Sequence, residues 1–218
     1  MMATYRISAI AYGFVRMWRG WSVVLPVIVI NAIVQGLLIW PPFTYGSLVW
    51  QIVSAIVSAV LAAAGFAALA VVALRAADGP VRWPVVIDSV RANAGRYAVW
   101  TLAWGCAVAI GLALYVIPGV IIIALTPFLA IAVLDGARNP LAVNFRALGR
   151  RWGRWLITTI IVVLVLIIAW NLGAFTAFFI RGPLATFLFW LIGGWLVAWF
   201  LTAYGLIYRR PAPGAPDG

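Results

Sequence analysis

Residues Leu141–Phe179 read LAVNFRALGRRWGRWLITTIIVVLVLIIAWNLGAFTAFF. A basic segment spotted with aromatics runs without a break into more than twenty residues of uncharged, mostly aliphatic chain. Leu141, Phe145, Leu148, Trp152 and Trp155 recur at spacings of four, three, four and three, which puts them on one stripe of a helix. Arg146, Arg150, Arg151 and Arg154 fall largely off that stripe. Such a helix suits a membrane interface, with rings toward acyl chains and guanidinium groups toward phosphates. The apolar run that follows is long enough to cross a bilayer.

The same stripe occurs earlier, in Trp83, Ile87, Val90, Ala94 and Tyr97, and at the start, in Ile7, Ala11, Phe14, Trp18 and Trp21. The junctions are alike: Arg19-Gly20-Trp21, Gly95-Arg96-Tyr97 and Gly153-Arg154-Trp155. The pattern predicts three copies of one unit, each an interfacial helix, a span, an outer turn and a second span. Internal repeats of this kind are common among transporter folds.

The expected fold is therefore all-α and integral to the membrane. Six spans are predicted at Ser22–Trp40, Leu48–Leu74, Ala98–Ile117, Gly119–Leu134, Leu156–Phe179 and Leu184–Tyr208. Residues 1–210 form one polytopic domain and 211–218 a Pro/Gly/Ala-rich disordered tail. The fourth span is short and carries Thr126-Pro127, where a kink is expected because proline lacks a backbone donor. Pro41-Pro42 opens an outer loop with Tyr45 and Gly46, flanked by Trp40 and Trp50, and Arg181-Gly182-Pro183 makes the last outer turn. The apolar run after Trp21 reads as an uncleaved first span rather than a signal peptide, and no lipidation motif is read at either end.

With these spans, every arginine except Arg181 falls on one side. Cytoplasmic loops collect basic residues, so both termini are expected in the cytoplasm. The arginines Arg16, Arg19, Arg91, Arg96, Arg146, Arg150, Arg151 and Arg154 are the candidate contacts to anionic lipid.

Composition agrees. The chain is 218 residues long, 67% hydrophobic and 9% charged. A soluble domain carries about 25% charged residues, so lipid must be the main solvent here. The net charge of +11 belongs to residues beside spans and reads as topology and headgroup contact rather than nucleic-acid binding. There is no His, Glu or Lys, and the carboxylates are Asp78, Asp88, Asp135 and Asp217, far apart in sequence. Acid–base, nucleophilic and metal chemistry draw mostly on the missing types, so neither an enzyme nor a cofactor is expected. Cys106 stands alone in a span, as a small apolar residue. Asp88 with Arg91, and Asp135 with Arg138, are expected to pair locally.

A few polar residues interrupt the spans. Asn31 and Gln35, four apart in the first, face the same way, and Asn171 lies in the fifth. Amides in a bilayer need partners, so these are candidates for a polar path or for hydrogen bonds that fix packing. Ser54, Ser58 and Ala62 form a small-residue ridge suited to close packing, and Gly193-Gly194 permits the same in the sixth span. No ionisable residue falls at mid-membrane depth, which argues against ion-coupled transport.

The stretch Ile117-Pro118-Gly119 to Trp155 resembles the membrane domain that accompanies some bacterial glycerophosphodiester phosphodiesterases, and stand-alone YciC-like six-span proteins. The shared elements are the Ile-Pro-Gly turn, Asp135-Gly136, Asn139-Pro140 and the basic aromatic helix from Arg146 to Trp155, about 40 residues in all. Where that family often has a Ser-Trp pair, this chain has Ala147-Leu148, and the phosphodiesterase barrel is absent. The resemblance implies a membrane module that engages lipids or partner proteins, with no catalytic residues. The arginine-only basic set and the abundance of Ala, Gly and Pro fit a GC-rich bacterial gene. The expected protein is a non-enzymatic lipid-engaging or scaffold module of a bacterial cytoplasmic membrane. A membrane-protein partner or a second copy would assemble with it. The alternative is a transporter or channel for a small or lipidic solute.

Overall fold

The computed structural model describes residues 4–39, 47–176 and 182–209. Trp40, Tyr45, Gly46, Arg181 and the segment from Arg210, with Asp217, lie outside them. All secondary structure among the described residues is helical. In chain order the elements are α1 (Thr4–Met17), a 3-10 turn (Trp18–Gly20), α2 (Trp21–Leu38), α3 (Leu48–Arg75), α4 (Trp83–Tyr115), α5 (Ile117–Leu125), α6 (Leu129–Leu134), α7 (Pro140–Arg150), α8 (Trp152–Thr176) and α9 (Pro183–Arg209). Prolines stand at the first turns of α4, α5, α7 and α9, where a missing N–H costs nothing. Asn139 caps α7 by accepting from the Ala142 N–H at 3.1 Å.

Five helices are long and apolar enough to cross a membrane: Ile10–Leu38, counted through the 3-10 turn, Leu48–Arg75, Trp83–Leu114, Trp152–Gly173 and Pro183–Arg209. The segment expected as a fourth span is two short helices, α5 and α6, with the break at Thr126-Pro127. Pro127 has no N–H to continue the ladder. The pair nevertheless runs back along α4 from Gly111 to Asn93. Gly111 faces Gly119, the Trp104 indole N–H donates to Thr126 Oγ1 at 2.8 Å, and Asn93 Nδ2 donates to the Leu134 carbonyl at 3.3 Å. At Gly111 a Cβ would lie 2.6 Å from the Gly119 nitrogen, so only glycine lets the two backbones meet. The turn between them passes through Val116 at φ 63, a strained value for a β-branched residue.

Two further antiparallel hairpins complete the fold. In α2/α3 the Ser58 hydroxyl donates to Gln35 Oε1 at 2.9 Å. In α8/α9 the Thr159 and Tyr204 hydroxyls are 2.9 Å apart. The three hairpins do not share the core equally. Ala67–Leu74 of α3 is buried on every face, enclosed by α2, α9, α4 and α6. Gly205 of α9 makes this possible, since a Cβ there would sit 2.3 Å from the Ala73 carbonyl oxygen. At the other end of α3, Leu48–Val53 and Ala55–Val57 are exposed around the helix. Packing is thus concentrated at the end that carries the arginines. The Ser54–Ser58–Ala62 ridge is half-buried, and Gly194 seats on Ile28 of α2.

The three expected interfacial segments differ in form. The first is a separate helix, α1, and the third, α7, is broken from its span at Arg151. The second runs straight into its span as the 33-residue α4. Their packed faces also differ from the expected stripes. α1 buries Ile10, Gly13 and Met17 against α9, leaving Phe14, Trp18 and Trp21 outward. α7 buries Pro140, Asn144 and Leu148, leaving Leu141 and Phe145 outward. Glycine and a satisfied amide allow closer approach than bulky rings, so they take the inner face.

Candidate functional site

The last carbonyls of a helix have no partner within it and carry the negative end of its dipole. Arginines meet this need in each hairpin, and each time the arginine and the helix end belong to the same hairpin unit. Arg16 donates to the Ala77 carbonyl at 3.0 Å and Arg19 to Ala76 at 3.4 Å, just past the end of α3. Arg96 donates to Gly136 at 3.3 Å and to Ala137, past the end of α6. Arg151 donates to Ile207 in the last turn of α9. Arg151 is only 8% exposed, whereas the sequence places it among the lipid contacts. It is held where α7, α8 and α9 meet because that carbonyl needs a donor.

The helix ends are then tied to one another. Arg209 of α9 pairs with Asp78 after α3. The Tyr208 hydroxyl donates to Asp135 Oδ2 at 3.1 Å, so Asp135 is bound to α9 rather than to Arg138. Asp88 and Arg91 are both exposed, and no ion pair joins them.

The remaining candidates face outward. Arg91, Arg146 and Arg150 are exposed and Arg154 is half-buried. Around them Trp83, Ile87, Leu141, Phe145 and Trp152 present large apolar side chains to the surroundings. Where the 3-10 turn joins α1 to α2, Trp18 and Trp21 meet Met17, Val24, Leu25 and Trp195 of α9 around a shallow apolar crevice. Trp18 and Trp195 meet edge to face at 5.3 Å. This end therefore carries both outward guanidinium groups and outward indoles.

The amides of the spans do not converge by hydrogen bonding. Gln35 is 5% exposed and is taken up by Ser58, with its Nε2 also 3.5 Å from the Ser58 carbonyl. Asn31 is half-buried with a buried Oδ1 that has no partner. Asn171 is exposed on α8, and its Nδ2 donates to Ile167 of its own helix at 2.7 Å.

The sequence reading missed Asn144. This residue is wholly buried, and its side chain spans the break between α5 and α6. Its Oδ1 accepts from the Phe128 N–H at 3.0 Å and its Nδ2 donates to the Leu125 carbonyl at 2.8 Å. The available signal was an amide on the inner face of a helix that follows a proline-broken segment. The indole N–H of Trp155 is buried without a partner. Among the described residues no three Cys or Asp side chains gather to hold a metal.

No family model matches this chain, and neither the curated proteins nor the solved structures contain a match to it.

Proposed function

We propose that the protein is a six-span, lipid-engaging module of a bacterial cytoplasmic membrane, with both termini in the cytoplasm and no catalytic chemistry of its own. In this reading α5 and α6 together make the fourth crossing. Their close run along α4 from Gly111 to Asn93 supports it, since about 18 residues at about 1.5 Å each nearly span a hydrocarbon core. The resemblance to YciC-like membrane proteins fits the same proposal.

One observation carries it: the division of labour among the arginines. Arg16, Arg19, Arg96 and Arg151 bond carbonyls at or just past helix ends, while Arg91, Arg146 and Arg150 are exposed and Arg154 half-buried on segments that also carry exposed aromatic rings. Guanidinium groups beside indoles at a membrane surface match a phosphate headgroup above acyl chains.

The test is native mass spectrometry after extraction into nanodiscs of mixed phosphatidylglycerol and phosphatidylcholine. The wild type should retain phosphatidylglycerol preferentially. A variant with Arg91, Arg146, Arg150 and Arg154 all changed to Gln should lose that preference by at least severalfold. Equal retention by both proteins would overturn the reading.

A second reading, a transporter for a small or lipidic solute, draws support from one atom. Asn31 Oδ1 is a buried acceptor without a donor in the middle of α2, and such atoms are rare unless they serve a ligand or water. Solute flux into vesicles that is lost in Asn31→Leu would favour it over the first.

A further inference from the structure

α8 packs sparsely on its own chain, touching α9, α1 and α7. Only 12% of its apolar window is buried, as little as the 11% of Trp83–Leu114 and far below the 39% of Ile10–Leu38. The side it turns to the protein holds Trp155 and Thr158, both buried. At about 100° per residue, the far side of the helix carries Ile160, Leu164, Ile167 and Asn171. All four are exposed. They recur at spacings of four, three and four, which is the seam of a helix pair, with one amide among branched aliphatic residues.

Asn171 makes this face more than an ordinary lipid surface. Its Nδ2 has one hydrogen bond to the Ile167 carbonyl, while its Oδ1 accepts none from the described residues. The residue lies five residues before the end of α8 at Thr176, within the apolar window that closes at Gly173, where hydrocarbon offers no donor. An amide carries both donors and acceptors, so it can satisfy an identical amide across a two-fold axis. Copies of one chain enter a membrane in the same direction, so two α8 helices would run parallel and bring equivalent asparagines together.

We propose that α8 is a homodimer interface, in which Ile160, Leu164, Ile167 and Asn171 pack against the same residues of a second copy and the two Asn171 side chains hydrogen-bond to each other. The proposal does not depend on the arginine surface.

The test uses the full chain in the membranes of the expressing cells. In a Cys106→Ser background, Ile160→Cys, Leu164→Cys and Ile167→Cys should each give an oxidised product of twice the monomer mass. Leu166→Cys and Leu172→Cys, exposed but off the seam, should give little. Asn171→Leu should weaken pairing by about fivefold, read as energy transfer between labelled copies on dilution with lipid, and Asn171→Gln should largely restore it. Cross-linking that ignores the seam, its complete absence, or a product of another mass would each overturn the proposal. Unaltered cross-linking in the Arg91, Arg146, Arg150 and Arg154 to Gln variant is expected, which separates this interface from the lipid reading.

Discussion

The side chain of Asn144 holds the backbone of Phe128. Its Oδ1 accepts the Phe128 N–H at 3.0 Å, on the far side of the Thr126-Pro127 break, while its Nδ2 reaches the Leu125 carbonyl at 2.8 Å on the near side. A break between two apolar helices exposes backbone groups that must find partners when buried. Here one amide from a neighbouring helix closes both sides of the gap.

Replacing Asn144 with Leu should therefore be severe. It strands the buried Phe128 donor and the partly buried Leu125 acceptor, at about 1–3 kcal/mol for each buried group left unsatisfied. The expected loss is about 2–5 kcal/mol, seen as a clear fall in the unfolding midpoint in lipid bicelles. Asn144→Asp keeps the acceptor but loses the donor and buries a charge, so it should not rescue. A change under about 0.5 kcal/mol in Asn144→Leu would show that the break needs no closure.

The arginines should separate into two stability classes. Arg151→Met removes a buried, charged donor from the Ile207 carbonyl and should destabilise by about 1.5–3 kcal/mol. Arg146→Gln, at an exposed position, should stay within about 0.5 kcal/mol. Unfolding in denaturant titrations checks both, and equal effects would contradict the capping role.

Much of this was readable from the chain. The apolar runs located the long helices because lipid imposes a length and a composition on any span, whereas of the three junctions only Gly20 marks an element end, Gly95 and Gly153 lying within α4 and α8. The Thr126-Pro127 kink was readable for the simpler reason that proline lacks a donor. The faces were less accessible. The spacing of Phe14, Trp18 and Trp21 marks a stripe, yet these rings stay largely exposed, with Phe14 and Trp18 touching α9 only by ring edges, and Ile10, Gly13 and Met17 are the residues buried. Periodicity finds an apolar side but does not say whether protein or lipid covers it, because both are apolar. Arg151 and Arg146 look alike in sequence, and only the position of the α9 carbonyls divides them.

Val116 offers a change in the opposite direction. Its φ of 63 with ψ of −48 falls where a β-branched residue is strained, at a cost of about 1–3 kcal/mol. Glycine relieves that strain and costs about 0.5–1 kcal/mol in chain entropy. Val116→Gly should stabilise the α4/α5 hairpin by up to about 2 kcal/mol, read as a raised unfolding midpoint. A lowered midpoint would mean that the turn is held by the valine side chain rather than strained by it.

The Gln35–Ser58 link tests whether the spans interlock dry. Gln35→Leu leaves the Ser58 hydroxyl without its acceptor and should cost about 1 kcal/mol, near the typical value for such bonds between membrane helices. The double variant Gln35→Leu with Ser58→Ala removes both partners, and apolar replacement of a whole pair can be close to neutral. The double should therefore be less destabilised than the sum of the two singles, giving a coupling of about 0.5–1 kcal/mol in a double-mutant cycle. Purely additive losses would mean that each residue meets water or solute separately. That outcome would favour a hydrated path beside Asn31 over a packed seam between α2 and α3.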